Sequence, residues 1–321
     1  MQEVSVIIPN YNGKAYLETC LDALAAQTLG QLPVLLVDNG STDGSLDLVR
    51  DRYPWVRLIP LPENYGFCKA VNEGILLAKT PYVILLNNDT QVLPDFAEQL
   101  LRGIKARPRA FSCAAQMIQY HDHSRLDGAG DFYSALGWAF ARGQGKSPNR
   151  YGEECRIFAA CAGAAIYRTK YLQQTGLLDE AHFAYLEDLD LGYRARIAGY
   201  ENWYLPKARV YHVGSGTSLS RYNEFKISHS SRNNVYLIWK NMPLLQWILN
   251  LPFLLLGFAV KLLFFAVKGY GKLYARGLKK GYDMTRQPEN RSKKVKFRWE
   301  NLGHYGRIQL ELWINIFRRL L

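Results

Sequence analysis

Tyr82-Val83-Ile84-Leu85-Leu86-Asn87-Asn88-Asp89-Thr90 decides the fold. Its first five residues are apolar and β-rich, which predicts a short strand buried on both faces. Pro94 then opens a helical pattern over residues 94–106. The polar triplet therefore sits at the carboxyl end of a buried strand, where open α/β sheets bind ligands. A carboxylate beside small amides suits a hard divalent cation holding a phosphate. Asn and Asp are also ordinary turn residues, so the surrounding chain has to decide between the two readings.

Upstream, three more strand patterns precede this one. Residues 4–9 read as a central strand followed by the turn Asn10-Tyr11-Asn12-Gly13 and a helix with Leu17, Cys20, Leu21 and Leu24 on one face. Residues 34–38 form the second, ending in Asp38-Asn39-Gly40-Ser41-Thr42-Asp43-Gly44-Ser45. Residues 53–60 give a third, shorter strand, followed by Asn64-Tyr65-Gly66-Phe67 and a helix over 68–78 carrying Lys69 and Asn72. This βαβαβαβ alternation predicts a mostly parallel sheet with right-handed crossovers and three polar loops on one edge. Neither GxxxxGK[ST] nor a GxGxxG after the first strand is present, so phosphate must be held through side chains and a metal.

Downstream the rhythm changes. Residues 110–118 suggest another strand, residues 120–151 a polar, Gly-rich loop or hairpin region, and residues 158–167, including Gly163, an apolar strand of small residues that lets a backbone or ligand approach. Glu187 and Asp188 fall in the first turn of a helix, where the dipole favours acids and where a carboxylate can also serve as a general base. Residues 203–211 read as a strand ending at His212.

The net charge of +12 is unevenly placed. Residues 261–321 hold 15 Lys and Arg against 4 Asp and Glu, leaving the first 260 residues close to neutral. That asymmetry points to an anionic surface near the C-terminus. Five cysteines without a CxxC argue against a zinc site or disulfide framework and for a reducing compartment; a secretory signal is not expected.

In order, Pro9-Asn10-Tyr11-Asn12, Asp38 to Ser45, Asn64 to Phe67, Asn87-Asn88-Asp89, Glu187-Asp188-Leu189-Asp190 and Tyr211-His212 resemble glycosyltransferase family 2, with the GT-A fold, and more narrowly its rhamnosyltransferase-like branch. The resemblance covers about residues 3–220 and implies inverting transfer from a nucleotide-sugar to an acceptor hydroxyl. It implies that Tyr11 lies against the nucleobase, Asp38 bonds its edge and Asn87 sits near the ribose. The expected lining of the nucleotide and substrate site adds Pro9, Asn12, Asn39, Gly66, Lys69, Asn72, Asn88, Gly163 and Glu187. It further implies that Asp89 and His212 hold Mg²⁺ or Mn²⁺ and that Asp188 is the base, ahead of Glu187 and Asp190. Asn87 departs from the usual DxD pattern by one carboxylate but is usual in this branch. The branch implies dTDP-rhamnose as donor, with UDP-sugars behind it, and a glycan acceptor carried on a polyprenyl diphosphate. A nucleotide-sugar-binding protein without turnover and a nucleotidyltransferase are the alternatives. The latter lacks a basic, Gly-rich phosphate loop at Asn10–Lys14.

The expected organisation is a catalytic domain over residues 1–220 and a helical, membrane-associating region over 221–321. Residues 243–267 are rich in Leu and Phe and long enough to span a bilayer, but Gln246, Asn250, Pro252 and Lys261 interrupt them. Helices lying in the interface, apolar side down and basic residues toward anionic head groups, are the favoured reading. The expected location is peripheral, on the cytoplasmic face. Nucleic acid is not an expected partner, because the basic residues adjoin an apolar run rather than a stacking platform.

Overall fold

The computed structural model describes residues 2–214 and 223–320. The expected domain boundary at 220/221 lies outside the described residues. The first half alternates as anticipated: β1 (Val4–Asn10), α1 (Lys14–Ala25), β2 (Val34–Asn39), α2 (Ser45–Arg52), β3 (Val56–Leu61), α3 (Phe67–Leu77) and β4 (Tyr82–Leu86). After the polar triplet comes β5 (Thr90–Val92), then α4 (Phe96–Lys105), β6 (Ala110–Gln119), β7 (Asp122–Gly128), β8 (Asp131–Tyr133), β9 (Ala139–Ala141), β10 (Cys155–Ile157) and β11 (Ala164–Arg168). The remainder is α5 (Thr169–Thr175), α6 (Glu187–Ile197), β12 (Glu201–His212), α7 (Glu224–Asn241), α8 (Leu244–Val267), α9 (Gly271–Arg286), α10 (Pro288–Arg291) and α11 (Leu302–Leu320).

The main sheet runs β10-β12-β6-β11-β4-β1-β2-β3. Its β4-β1-β2-β3 half is parallel, so the ends of β1, β2 and β4 share one edge. β11 enters antiparallel between β4 and β6, while β6 and β12 are parallel to each other. Side chains alternate across the sheet. Ile8, Ile84 and Leu86 pack with Leu17, Leu21, Phe96 and Leu100 of α1 and α4. Ile7, Val83 and Leu85 pack with Cys68 and Val71 of α3, Leu189 of α6, Leu237 of α7 and Leu312 of α11. Burial on both faces is why β1 and β4 read as unbroken apolar runs.

Two stretches differ from their sequence patterns. Residues 120–151 hold β7, which pairs with β6, and a small β8-β9 sheet, where polar and Gly residues hide the alternation. Within 158–167 only the end is strand; residues before it run irregularly, Phe158 and Ala159 bonding to the Asp131 carbonyl. Small side chains permit this: a Cβ on Gly192 of α6 would lie 2.6 Å from that of Ala159.

The C-terminal helices are packed onto the sheet domain. α8 turns its polar stripe inward: Gln246 accepts from Tyr193, and Asn250 and Gln309 exchange hydrogen bonds at 2.9 and 2.7 Å. One turn on, Leu254 is buried, and Gly257 lies so close to Leu136 that a Cβ would meet its carbonyl oxygen at 2.0 Å. The outer faces of α8 expose Leu244, Leu245, Ile248, Leu255, Leu256 and Leu263.

Candidate active site

Three loops at the shared sheet edge are stitched together by Asn10. Its Nδ2 donates to Asp38 Oδ1 at 2.7 Å and to Ser41 Oγ at 3.2 Å, and its Oδ1 accepts from Asn88 Nδ2 at 2.7 Å. Asp38 is fully buried, its other oxygen accepting from the Ser41 N–H. Asn12 adopts φ 49°, a conformation Asn tolerates, and bonds through backbone and side chain to Ser41 and Thr42. Asn39 is buried, donating to Asn64 and the Gly66 carbonyl and accepting from the Tyr65 N–H. Tyr11 is 42% exposed at the mouth of this wall, just past the end of β1.

On α3, Asn72 spends its amide on the Leu178 backbone and on Glu180, while Lys69 pairs with Glu73 at 2.8 Å and approaches Glu180 at 3.8 Å. Both therefore tie α3 to the segment ahead of α6. Gly66 (φ 89°) lets this loop press on Phe183, whose ring would be 2.5 Å from any Cβ there.

Next to Asn88, His212 is fixed by β12 pairing with β5 on one side and β6 on the other. Its Nε2 lies 3.2 Å from Asp89 Oδ1 and 3.4 Å from Asn87 Nδ2, and its Nδ1 lies 2.8 Å from Asp127 Oδ2. Burial alone would lower the imidazole pKa; the two carboxylates outweigh it and push it up to about 10. A carboxylate and a ring nitrogen converging this closely, with a second carboxylate orienting the far ring nitrogen, is a donor set that fits a divalent cation.

The opposite wall is the start of α6. Phe183, Tyr185 and Leu186 all have positive φ, between 62° and 72°. Such strain costs about 1–3 kcal/mol per residue and persists only where the surroundings impose it. α7 imposes it: Asn233 Nδ2 serves the carbonyls of His182, Ala184 and Tyr185, and Arg232 adds a bond to that of His182. Asp188 then emerges at the helix start, accepting from the N–H of Leu189 at 2.7 Å. Burial pushes its carboxyl up to about 6, against the backbone N–H groups of Leu189 and Ala162. Glu187 is buried, with Oε2 unbonded among the described residues, and is pushed up to about 8, by burial and then by the charge of Asp188. Asp190 is spent elsewhere: fully buried, it accepts from Lys240, Arg194 and Asn241.

One turn joins the two walls. Asn87 donates its backbone N–H to the Gly163 carbonyl, and a Cβ on Gly163 would lie 3.0 Å from Asn87 Nδ2. Two residues earlier, Cys161 Sγ lies within 4.8 Å of the carboxyls of Asp188 and Asp131.

The model of the family described as "Glycosyl transferase family 2" matches residues 5–176. The chain belongs to glycosyl transferase family 2. An N-acetylglucosaminyl-diphospho-decaprenol L-rhamnosyltransferase of Mycobacterium tuberculosis is 32% identical over 230 residues, covering 64% of this chain and 75% of that protein. Glycosyltransferase GlyG of Streptococcus pneumoniae is 29% identical over 133 residues, 40% of this chain and 43% of its own. Among solved structures, GalNAc-T7 with UDP, GalNAc and Mn²⁺ superposes with a TM-score of 0.62 at 18% identity, over 75% of this chain and 48% of that one. S. aureus TarS 1–349 in complex with UDP-GlcNAc does so with 0.60 at 17% identity, over 97% and 89%. At such identities these two share the GT-A fold with this glycosyltransferase.

Residues the sequence did not single out lie around the candidate site. Asp127 and Asp131 come from the stretch read as loop or hairpin. Their signal was Asp127-Gly128-Ala129-Gly130-Asp131, two acids flanking residues too small to hold them apart. Asn233 and Lys240 carry no local signal at all, since their partners lie some fifty residues upstream.

Proposed function

We propose that this enzyme transfers a sugar, with inversion, from a nucleotide-sugar to a hydroxyl of a polyprenyl-diphosphate-linked glycan at the cytoplasmic face of the membrane. dTDP-rhamnose is the first donor, ahead of UDP-sugars; the named activity of the mycobacterial relative supports both the sugar and the carrier. The observation that carries the reading is the Cys161–Gly163 turn, with the Asp89–His212 pair beside Asn87 on one side and Asp188 on the other.

Inversion is one in-line displacement at the anomeric carbon. Asp188 accepts the proton of the attacking hydroxyl, which needs a base within about 2.6–3.2 Å. Its raised proton affinity, from burial, makes it a better acceptor than a surface carboxylate. Asp89 and His212 would hold Mg²⁺ or Mn²⁺, with Asp127 fixing the imidazole. Such an ion, when bound, offsets the negative charge of the departing diphosphate. Tyr11 offers its exposed ring to the nucleobase. Asp38, Asn39, Asn12 and Asn88 keep the loops around it in shape, and Asn87 lies toward the ribose. Glu187 lies on the acceptor side. Lys69, Asn72 and Gly66 act on the donor through the loops they brace.

α8 is apolar and long enough to cross a bilayer by length and composition alone. Its inward stripe of Gln246, Asn250, Leu254 and Gly257 is already occupied by the sheet domain and α11 over three turns. A helix so covered lies along the interface rather than through it. The exposed Lys272, Arg276, Lys279 and Lys280 of α9 would then meet anionic head groups.

The test is donor-dependent stabilisation with dTDP-rhamnose and UDP-sugars, with and without Mn²⁺, followed by transfer to polyprenyl-diphospho-N-acetylglucosamine. A donor should raise the Tm, as any ligand of the folded state does. Asp188→Asn should keep that rise and abolish transfer. No response to any donor would overturn the reading. Donor binding without transfer or donor hydrolysis would favour a silent binding protein.

A further inference from the structure

Asp131 opens β8 opposite the start of α6. Its backbone is rigid: its N–H donates to the Ala159 carbonyl, and its own carbonyl accepts from Phe158 and Ala159. Its carboxyl, that of Asp188 and the Cys161 thiol lie within 4.8 Å of one another, and all three residues are half-buried. Among the described residues no cation pairs with Asp131 or Asp188, in contrast to Asp179 and Asp190, which share Lys240. The groups facing Asp131 are Asp188 and Glu187 from α6, Asp127 from β7 and the Cys161 thiol. Glu187 is itself more than nine-tenths buried, with an oxygen that has no hydrogen-bond partner among the described residues. Like charges this close, without a counter-ion, do not all ionise together. Burial, then the charges of Asp188, Asp127 and Glu187, hold the Asp131 carboxyl well above the usual range, while Asp188 accepts a backbone N–H that favours its charged form.

We infer that Asp131 is a further substrate-contacting residue, the neutral carboxyl of a pair with Asp188, whose O–H donates a hydrogen bond to the acceptor sugar beside the hydroxyl that Asp188 deprotonates. This rests on the reading of Asp188 as the base. A neutral acid beside an ionised one presents one donor and one acceptor, which matches two neighbouring hydroxyls of a sugar better than two carboxylates do. The side chain of Asp131 makes no hydrogen bond to the described residues, so its donor is free for that contact.

Asp131→Asn keeps a donor and cannot ionise; Asp131→Ala cannot ionise either and has no donor. With dTDP-rhamnose and polyprenyl-diphospho-N-acetylglucosamine, Asp131→Asn should hold the acceptor KM close to wild type. Asp131→Ala should raise the acceptor KM about tenfold, the worth of one hydrogen bond, at unchanged donor affinity. Infrared difference spectra of the substrate-free enzyme, wild type minus Asp131→Asn at neutral pH, should contain the C=O stretch of a protonated carboxyl. The inference is overturned if that band is absent, if Asp131→Asn impairs acceptor binding as much as Asp131→Ala, or if Asp131→Ala binds acceptor normally. Asp188→Asn is assayed alongside. Full transfer by that variant would remove the base reading, while the infrared band would still report on Asp131.

Discussion

The side-chain amide of Asn233 lies 2.7 Å from the carbonyl oxygen of Tyr185, three residues ahead of Asp188. The loop between them is strained, and the residue that holds it comes from α7, beyond the sheet. The C-terminal helices therefore brace the loop that carries the candidate base.

Asn233→Ala should lower kcat far more than it weakens nucleotide binding. The N–H groups that hold three carbonyls disappear, and the loop can relax toward ordinary φ. Misplacing a base by about 1 Å costs on the order of 100-fold. Steady-state kinetics with a donor titration separates the two effects. Parallel loss of kcat and donor affinity would mean that the whole site has collapsed rather than the base loop.

Asp188 gives a pH dependence of definite sign. Its carboxyl is raised to about 6, so transfer should fall roughly tenfold per pH unit below that point as the base is protonated. For stability the sign is opposite. A folded pKa above the unfolded value favours the fold at low pH, and that contribution is lost as pH rises through about 6. Asp188→Asn should accordingly be inactive yet more stable at pH 7, by up to about 3 kcal/mol. Urea unfolding of both proteins at pH 4 and pH 7 checks this. A variant less stable at both pH values would contradict it.

The parallel strands and their loop residues were legible because β1, β2 and β4 are short and buried on both faces. Asn87 to Asp89 then had one place to be, the end of β4. Asp127 and Asp131 were not legible: β7 and β8 are edge and satellite strands whose pattern is broken by Gly and polar side chains. The braces Asn72 and Asn39 look like binding residues in sequence, because an amide that closes a loop and an amide that meets a ligand are the same residue type. Only the partner tells them apart, and the partners of Asn72 are more than a hundred positions away.

Lys240 should prove the most costly single loss to stability. It is buried and contacts Asp179 at 2.7 Å and Asp190 at 2.9 Å. Burial would raise both carboxyls, but Lys240 outweighs it and holds them well below the usual range. Their contribution is present above about pH 4 and is lost as pH falls. Lys240→Met leaves buried carboxylates short of a partner and should cost about 3–5 kcal/mol at pH 7, with a smaller deficit in acid. Urea denaturation at both pH values measures it, and equal deficits would show that packing rather than charge is responsible.

Asp127 bonds His212 Nδ1 and leaves Nε2 facing Asp89. Outer carboxylates of this kind raise ligand basicity and fix the ring. Asp127→Asn should therefore weaken Mn²⁺ binding by about 10–100-fold, without loss of fold. Isothermal titration of wild type and variant with Mn²⁺ reads this directly. Identical affinities would separate Asp127 from the metal site.

The outward face of α8 is apolar while its inward stripe is polar and occupied, an arrangement that costs solubility unless something covers it. Ile248→Gln with Leu255→Gln and Leu256→Gln removes exposed apolar surface at positions outside the packed stripe, so unfolding midpoints should change little. Binding to vesicles containing anionic lipid should fall at least tenfold, given the loss of three apolar anchors each worth about 1 kcal/mol or more in the interface. Transfer to a lipid-linked acceptor presented in vesicles should fall with it, while transfer to a short-chain, water-soluble acceptor should not. Vesicle co-sedimentation with both assays distinguishes the cases. Unchanged co-sedimentation would make this face a contact for protein, and the basic surface of α9 would then need another anionic partner.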